Sequence, residues 1–335
     1  MGVTRRADDE VARGQHFPDA VLYRGASLYY EEDRTQAEIA AQLGISRATV
    51  SRLLAEARAR GVVRIEVVDP AAQALAGLER TLERVLGLDR CYLAPSVLGA
   101  RVGAVLAPMV AKALEDAHLQ PGDALLVSSG ATMYEVSQEP LIALTGVLVA
   151  PNVGGQDELE EFYQTNEITR RLAVEAGATP VLLHAPIHPS AELYRLLRRE
   201  AGIRRVLDLW RSARAALLGI GSPPRLRTSL PSVMTRSGAD LRTAVGDICT
   251  RPFDDQGHPV DYPGSEELFA MGLADLRRIP HSVGVAVGEG KADAIVAAAR
   301  AGYINRLVSD VETAEAVLDA LGEPRVLADI EKNPA

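Results

Sequence analysis

At 335 residues the chain exceeds the roughly 250–300 residues at which a single hydrophobic core stops growing, so more than one domain is expected. A composition of 47% hydrophobic, 24% charged and 4% aromatic residues excludes disordered and fibrous classes and leaves the core to aliphatic side chains. The formal charge of −9 would argue against a nucleic-acid binder if it were evenly spread, but residues 1–68 hold ten arginines against ten acids, so the whole acidic excess lies downstream.

In chain order, residues 1–10 carry acids where a secretory leader needs an apolar run. A helix starting near Pro18 is closed by Tyr29-Tyr30-Glu31-Glu32-Asp33, and Thr35-Gln36-Ala37-Glu38 then has the form of a capping box that starts a second helix at Gln36. Ile39, Ala40 and Leu43 share one face of it, and Gly44 supplies a residue free to adopt positive φ for a sharp turn. Ser46 caps a third helix whose Val50, Leu53, Leu54 and Ala57 fall at i, i+3, i+4 and i+7, with Arg47, Ala48, Ser51 and Arg52 outward; Gly61 ends it. Residues 62–68 read as a strand or wing, and Asp69-Pro70 breaks the chain. Residues 71–86 read as a helix that joins domains or mediates self-association.

Beyond Arg90, strand-like runs at 91–94, 124–128, 147–150, 181–184, 215–220, 283–287 and 307–309 alternate with helical patterns, which predicts a doubly wound, mostly parallel α/β domain. The expected division is 18–68, a helix-turn-helix; 69–88, a linker helix; and 89–330, the α/β domain. The apolar stretch at 141–150 is too short to span a bilayer, and Cys91 and Cys249 stand far apart without CxxC spacing, so a cytoplasmic protein without disulfides or thiolate zinc is expected.

Two helices about a glycine turn, with arginines on the outer face of the second, have the geometry to enter a major groove. Between Gly44 and Arg64 stand Arg47, Arg52, Arg58, Arg60 and Arg64 against one acid, Glu56. Arg47 and Arg52 suit guanine or phosphate; Gln36, Ser46, Ala48, Thr49 and Ser51 complete the expected DNA-contacting set. A second candidate is Ser128, Ser129, Gly130, Ala131 and Thr132, where a strand runs into a small, hydroxyl-rich loop suited to an anion. Asn152, Gly154, Gly155 and Gln156 follow one strand, and Glu289 and Lys291 follow another; strand-end loops of open α/β sheets form ligand sites, and these residue types suit a polyol or phosphate. Asp254, Asp255, His258 and Asp261 have metal-ligand character, but Gly257 and Pro259 favour a solvated turn, and no metal or cofactor is assigned.

Residues 29–58, and in particular Gln36-Ala37-Glu38-Ile39-Ala40 and Leu43-Gly44-Ile45-Ser46-Arg47-Ala48-Thr49-Val50-Ser51-Arg52-Leu53-Leu54, resemble the DNA-binding half of the SorC/DeoR-type sugar-binding transcriptional regulators. Thr243-Ala244-Val245-Gly246-Asp247-Ile248-Cys249 with Phe253, Asp254 and Gly257 resembles that family's central signature, and Gly288-Glu289-Gly290-Lys291-Ala292-Asp293-Ala294-Ile295 its late one. The resemblance implies operator DNA as a partner and a dimer or tetramer. It also implies an effector domain similar to ribose-5-phosphate isomerase and glucosamine-6-phosphate deaminase, in which Asp247 joins the site for a small sugar, polyol or sugar phosphate. One departure stands at Ser129-Gly130-Ala131-Thr132, where the family has tryptophan in the first position. An enzyme on the same fold is the alternative, but Gly219-Ile220-Gly221 runs into Ser222-Pro223-Pro224, without the Asp-Gly-His of the deaminases and so without a general acid-base there.

Overall fold

The computed structural model describes residues 16–65, 69–96, 100–157, 160, 162, 164–227, 234 and 240–325. Residues 1–10, Glu66, Val67, Val68 and the expected domain end at 330 lie outside them. Contacts divide the chain into two compact units meeting between Asp69 and Pro70.

The first unit holds α1 (Asp19–Tyr30), α2 (Gln36–Leu43) and α3 (Arg47–Ala59). Leu22 and Leu28 of α1, Ile39 of α2, and Val50, Leu53 and Ala57 of α3 are fully enclosed in one small core. Gly25 lets α1 lie close against α3, since a Cβ there would displace the end of the Leu53 side chain. Of the expected strand or wing at 62–68, only residues 62–65 are described, and they are not a strand: the chain bends at Val62-Val63, the Val63 N–H donates to the Ala57 carbonyl at 3.1 Å and its side chain joins the core.

The second unit contains α4 (Pro70–Leu86), β1 (Arg90–Ala94), α5 (Val102–Asp116), β2 (Ala124–Val127), α6 (Ala131–Val136), β3 (Leu148–Pro151), α7 (Thr165–Glu175) and β4 (Thr179–Pro180). It continues through α8 (Ala191–Leu197), α9 (Ala201–Ser212), β5 (Ala215–Gly219), β6 (Gly246–Ile248), β7 (Arg251–Phe253), α10 (Leu273–Leu276), β8 (His281–Val285), α11 (Ala292–Arg300), β9 (Arg306–Asp310) and α12 (Val311–Leu321). Seven of these strands form one sheet in the order β1-β9-β8-β5-β2-β3-β4, every neighbouring pair parallel. The period-2 alternation of strand side chains assigns its two faces: Leu126, Ala216 and Leu218 pack under α4, α9, α11 and α12, while Leu125, Val127, Leu217 and Val283 pack under α5, α6 and α7. Covered on both sides, the central strands β2, β3 and β5 carry no polar side chain, as a parallel sheet requires.

Two expectations are corrected. Residues 181–184 are not a strand; β4 stops at Pro180, which has no N–H to donate, and the Asn166 side chain takes both backbone groups of Leu183 at 3.0 Å. The helix read as a linker, α4, is built into the second unit through Leu78, Leu82 and Leu86. Its Glu79 and Glu83 also accept the N–H groups of Leu93 and Cys91 at 2.9 and 3.0 Å on the edge strand β1. Four helical residues rise about 6 Å and two strand residues about 6.6 Å, so the carboxylates match the edge spacing and block further strand pairing.

Candidate functional site

In the first unit the local sequence builds the turn directly. Thr35 Oγ1 accepts the Glu38 N–H, and the Glu38 carboxylate accepts the Thr35 N–H at 2.8 Å, completing the capping box. Gly44 closes α2 at φ 67°, and Ser46 Oγ accepts the Thr49 N–H at 3.1 Å to open α3. Arg47, Ala48, Ser51 and Arg52 are exposed on α3, Ser46 is exposed at its cap, and Gln36 is half-exposed at the start of α2. Thr49 is a correction: it is 7% exposed and its hydroxyl is bonded to that of Ser46 at 2.7 Å, so it holds the turn and does not face outward. The one acid between Gly44 and Arg64, Glu56, is engaged by the Phe17 N–H, Arg60 and His16, while Arg47, Arg52 and Arg58 are exposed on α3.

The second site follows from the strand order. Connections from β2 run outward to β3 and β4, whereas those from β5 run the other way to β8 and β9, so the loops leaving β2 and β5 diverge and open a crevice at the carboxyl ends of the strands. A cavity of about 340 Å³ lies there. Ser129, Gly130, Ala131 and Thr132 line it from the β2 loop, Gln156 from beyond β3, Gly221 and Ser222 from the β5 loop, Asp247 from β6, and Lys291 from the turn before α11. Gly130 has φ 126° and ψ 154°, a conformation open only to glycine, and its N–H donates to the Phe162 carbonyl at 2.8 Å. The Gln156 amide donates to Ser129 Oγ at 3.0 Å, tying the two loops together.

Charge in the cavity is concentrated on three side chains. Arg227 donates to Asp247 Oδ1 at 2.6 Å, a pair that is mostly buried. Gly221 makes room for it: a Cβ there would overlap the Asp247 carboxylate, and the Gly221 N–H donates to the Asp247 carbonyl at 2.9 Å. Lys291 has no ion pair among the described residues. Desolvation is the main cause that pulls its pKa down to about 8; the Arg227 charge adds to this and Asp247 opposes it. Cys249 also lines the cavity, but burial pushes its thiol up to about 12, so it is an inert wall.

Several expected residues do not reach the cavity. Ser128 is 2% exposed, and its Oγ accepts the Gly219 N–H at 2.7 Å, pinning β2 to β5. Gly154 and Gly155 donate to the Phe269 and Ala185 carbonyls, and a Cβ on Gly154 would strike the Ala185 carbonyl. Asn152 is fully buried outside the cavity wall, with neither side-chain polar atom bonded in the protein. Glu289 is exposed beside the cavity rather than in it. The expected turn after Phe253 is present: Asp254 Oδ1 accepts the Gln256 and His258 N–H groups. Arg227, Phe162 and Thr250 line the cavity without having been anticipated, because each lies on an irregular segment that no periodic pattern announces.

A compact helix-turn-helix followed by a doubly wound α/β unit with a polar, cationic strand-end cavity defines a ligand-responsive DNA-binding regulator. Comparison with known proteins agrees. The model of the "Putative sugar-binding domain" family matches residues 71–319, and that of "Sigma-70, region 4" matches residues 27–60. The chain is 34% identical over 308 residues to the sorbitol operon regulator of Klebsiella pneumoniae, covering 89% of this chain and 97% of that one. It is 32% identical to the deoxyribonucleoside regulator of Bacillus subtilis, covering 88% and 96%. The crystal structure of the full-length Klebsiella regulator SorC superposes with a TM-score of 0.66 at 32% identity, over 91% of this chain and 100% of that one. The chain belongs to the SorC/DeoR-type family of sugar-binding transcriptional regulators. It is a regulator and not an isomerase or deaminase.

Proposed function

We propose that this regulator binds operator DNA through residues 18–68 and tunes that binding with a phosphorylated sugar held in the cavity of residues 89–330. The observation that carries the reading is the partly buried, unpaired Lys291 ammonium facing the Arg227–Asp247 pair in a cavity that also presents the Ser129, Thr132 and Ser222 hydroxyls and the Gln156 amide. An anion relieves the cost of an uncompensated buried cation, and Asp247, Gln156, Ser129 and Thr132 supply partners for sugar hydroxyls. A neutral sugar or polyol leaves Lys291 unanswered. On α3, Arg47 and Arg52 are the reading residues, with Ser46, Ala48 and Ser51 beside them and Gln36 at the flank.

Effector control needs a difference in affinity between two states of the protein. Such a difference arises in a homo-oligomer if the effector selects one arrangement of paired helix-turn-helix units, whose separation must match half-sites about one helical turn, or a multiple, apart. The expected setting is the cytoplasm, as a dimer or tetramer. Among the described residues no helix is long and apolar enough to cross a membrane. A thermal-shift panel of pentose and hexose phosphates, the corresponding free sugars and polyols, and inorganic phosphate tests the reading. Sugar phosphates should raise the melting temperature well above free sugars at equal concentration; equal shifts by free sugars would remove the role of Lys291.

A further inference from the structure

A cavity larger than that at the strand ends lies elsewhere, between α9 and the segment 268–279 on the sheet face covered by α4, α9, α11 and α12. Its volume of about 580 Å³ falls within the roughly 300–1,000 Å³ typical of ligand pockets. Three rings line it. Tyr194 and Phe269 meet with centroids 4.9 Å apart, and Trp210, the sole tryptophan, is fixed by donating its indole N–H to the Pro151 carbonyl at 2.7 Å. Four arginines join them. Arg211 and Arg278 have carboxylate partners in Asp208 and Asp275, but Arg198 and Arg251 have none among the described residues. Arg198 lies against the Tyr194 ring, 5.4 Å from its centroid. Arg251 donates to the carbonyls of Met271, Ser265 and Ala270 at 2.9–3.0 Å, which fixes its guanidinium without neutralising it.

We propose that this cavity is a second ligand site, for a flat aromatic or heteroaromatic ring carrying a negative charge. Ring walls favour a planar apolar ligand, and two uncompensated guanidiniums select an anion over a neutral analogue. The site is connected to the effector cavity by backbone contacts. Arg251 sits on β7, paired with β6, which carries Asp247. The segment gripped by Arg251 in turn bonds the loop that carries Gln156: the Met271 N–H donates to the Asn152 carbonyl at 2.9 Å and the Gly154 N–H to the Phe269 carbonyl at 2.7 Å. An occupant of the second site therefore tightens two walls of the first.

Trp210 makes the test direct, because its emission reports this cavity alone. Full-length protein is titrated with phenyl phosphate and benzoate, with benzyl alcohol as the uncharged ring and inorganic phosphate as the charge without a ring. Saturable quenching by the two aromatic anions is expected, at least about tenfold weaker with benzyl alcohol and absent with phosphate; Arg198→Gln should weaken it by about tenfold, the size of one lost charge-assisted contact, and Phe269→Leu by several-fold. Benzoate, which has no phosphoryl group for the effector cavity, should also slow hydrogen exchange at residues 152–156 and 246–253, beyond any slowing by inorganic phosphate alone. Quenching that does not saturate, that is as strong with benzyl alcohol, or that is unchanged in Arg198→Gln overturns the site. Emission that follows protein concentration and ignores the probes overturns it too, since a second copy of the chain would then cover this face. Saturable quenching without slowed exchange overturns the connection to the effector cavity.

Discussion

The two units carry their arginines and lysines in opposite ways. On α3, Arg47 and Arg52 stand exposed to solvent, whereas Lys291, Arg227 and Asp247 sit in a recess where water is largely replaced by protein. Exposed charge acts through many weak, salt-screened contacts; buried charge acts through few contacts that salt screens little and pH governs. DNA binding should therefore weaken steadily as salt rises, while effector binding stays nearly level with salt and follows the protonation of Lys291.

The largest expected effect lies on the buried side. Lys291→Gln removes the unpaired ammonium, and affinity for a sugar phosphate should fall roughly 30- to 100-fold (about 2–3 kcal/mol) by calorimetry, a charged hydrogen bond lost in a dry site. A loss below about threefold would mean that the anion is held elsewhere. On the exposed side, Arg47→Ala should cost about 1–3 kcal/mol of operator affinity and leave sugar-phosphate affinity at the wild-type value. If sequence preference survives while the salt slope flattens, Arg47 contacts phosphate and not base.

The pH comparison is smaller. Lys291 in the folded protein titrates near pH 8, below an exposed lysine at about 10.4, so between these values the unfolded chain holds more protons. The cost of burying the charge is complete below pH 8 and is relieved as pH rises toward 10. Urea unfolding should accordingly show Lys291→Met gaining most over wild type near pH 7, with the gain shrinking by pH 10. A constant difference would mean that the ammonium is solvated. The smallest effect is in the turn itself: Thr35→Ala removes one half of the capping box and should lower stability by about 1 kcal/mol in thermal unfolding, with no change in the effector response.

This contrast also explains what was legible in the sequence. The helix-turn-helix is written in contacts within a few residues, Thr35 to Glu38, Ser46 to Thr49 and Gly44 at its turn, so spacing alone located it. Apolar runs likewise announced the central strands of the sheet. The cavity joins residues as distant as Ser129, Asp247 and Lys291, and only the strand order brings them together. Local residue type selected Ser128 and Gly154 on the same grounds as Ser129, yet the first two fasten loops to the sheet. Arg227 was invisible because its role exists only through Asp247, twenty residues on and across the crevice. The short hairpin of β6 and β7 was missed as well, since three-residue strands carry too little periodicity to read.

The central claim, that an anion in the buried cavity governs reading by the exposed helix, is tested most directly by fluorescence anisotropy. Labelled DNA from upstream of the protein's own gene is titrated with the full-length chain in the presence and absence of the sugar phosphate that gives the largest thermal shift. The account predicts a several-fold change in operator affinity for wild type that disappears in Lys291→Gln. Operator affinity that is the same with and without a demonstrably bound sugar phosphate would contradict it.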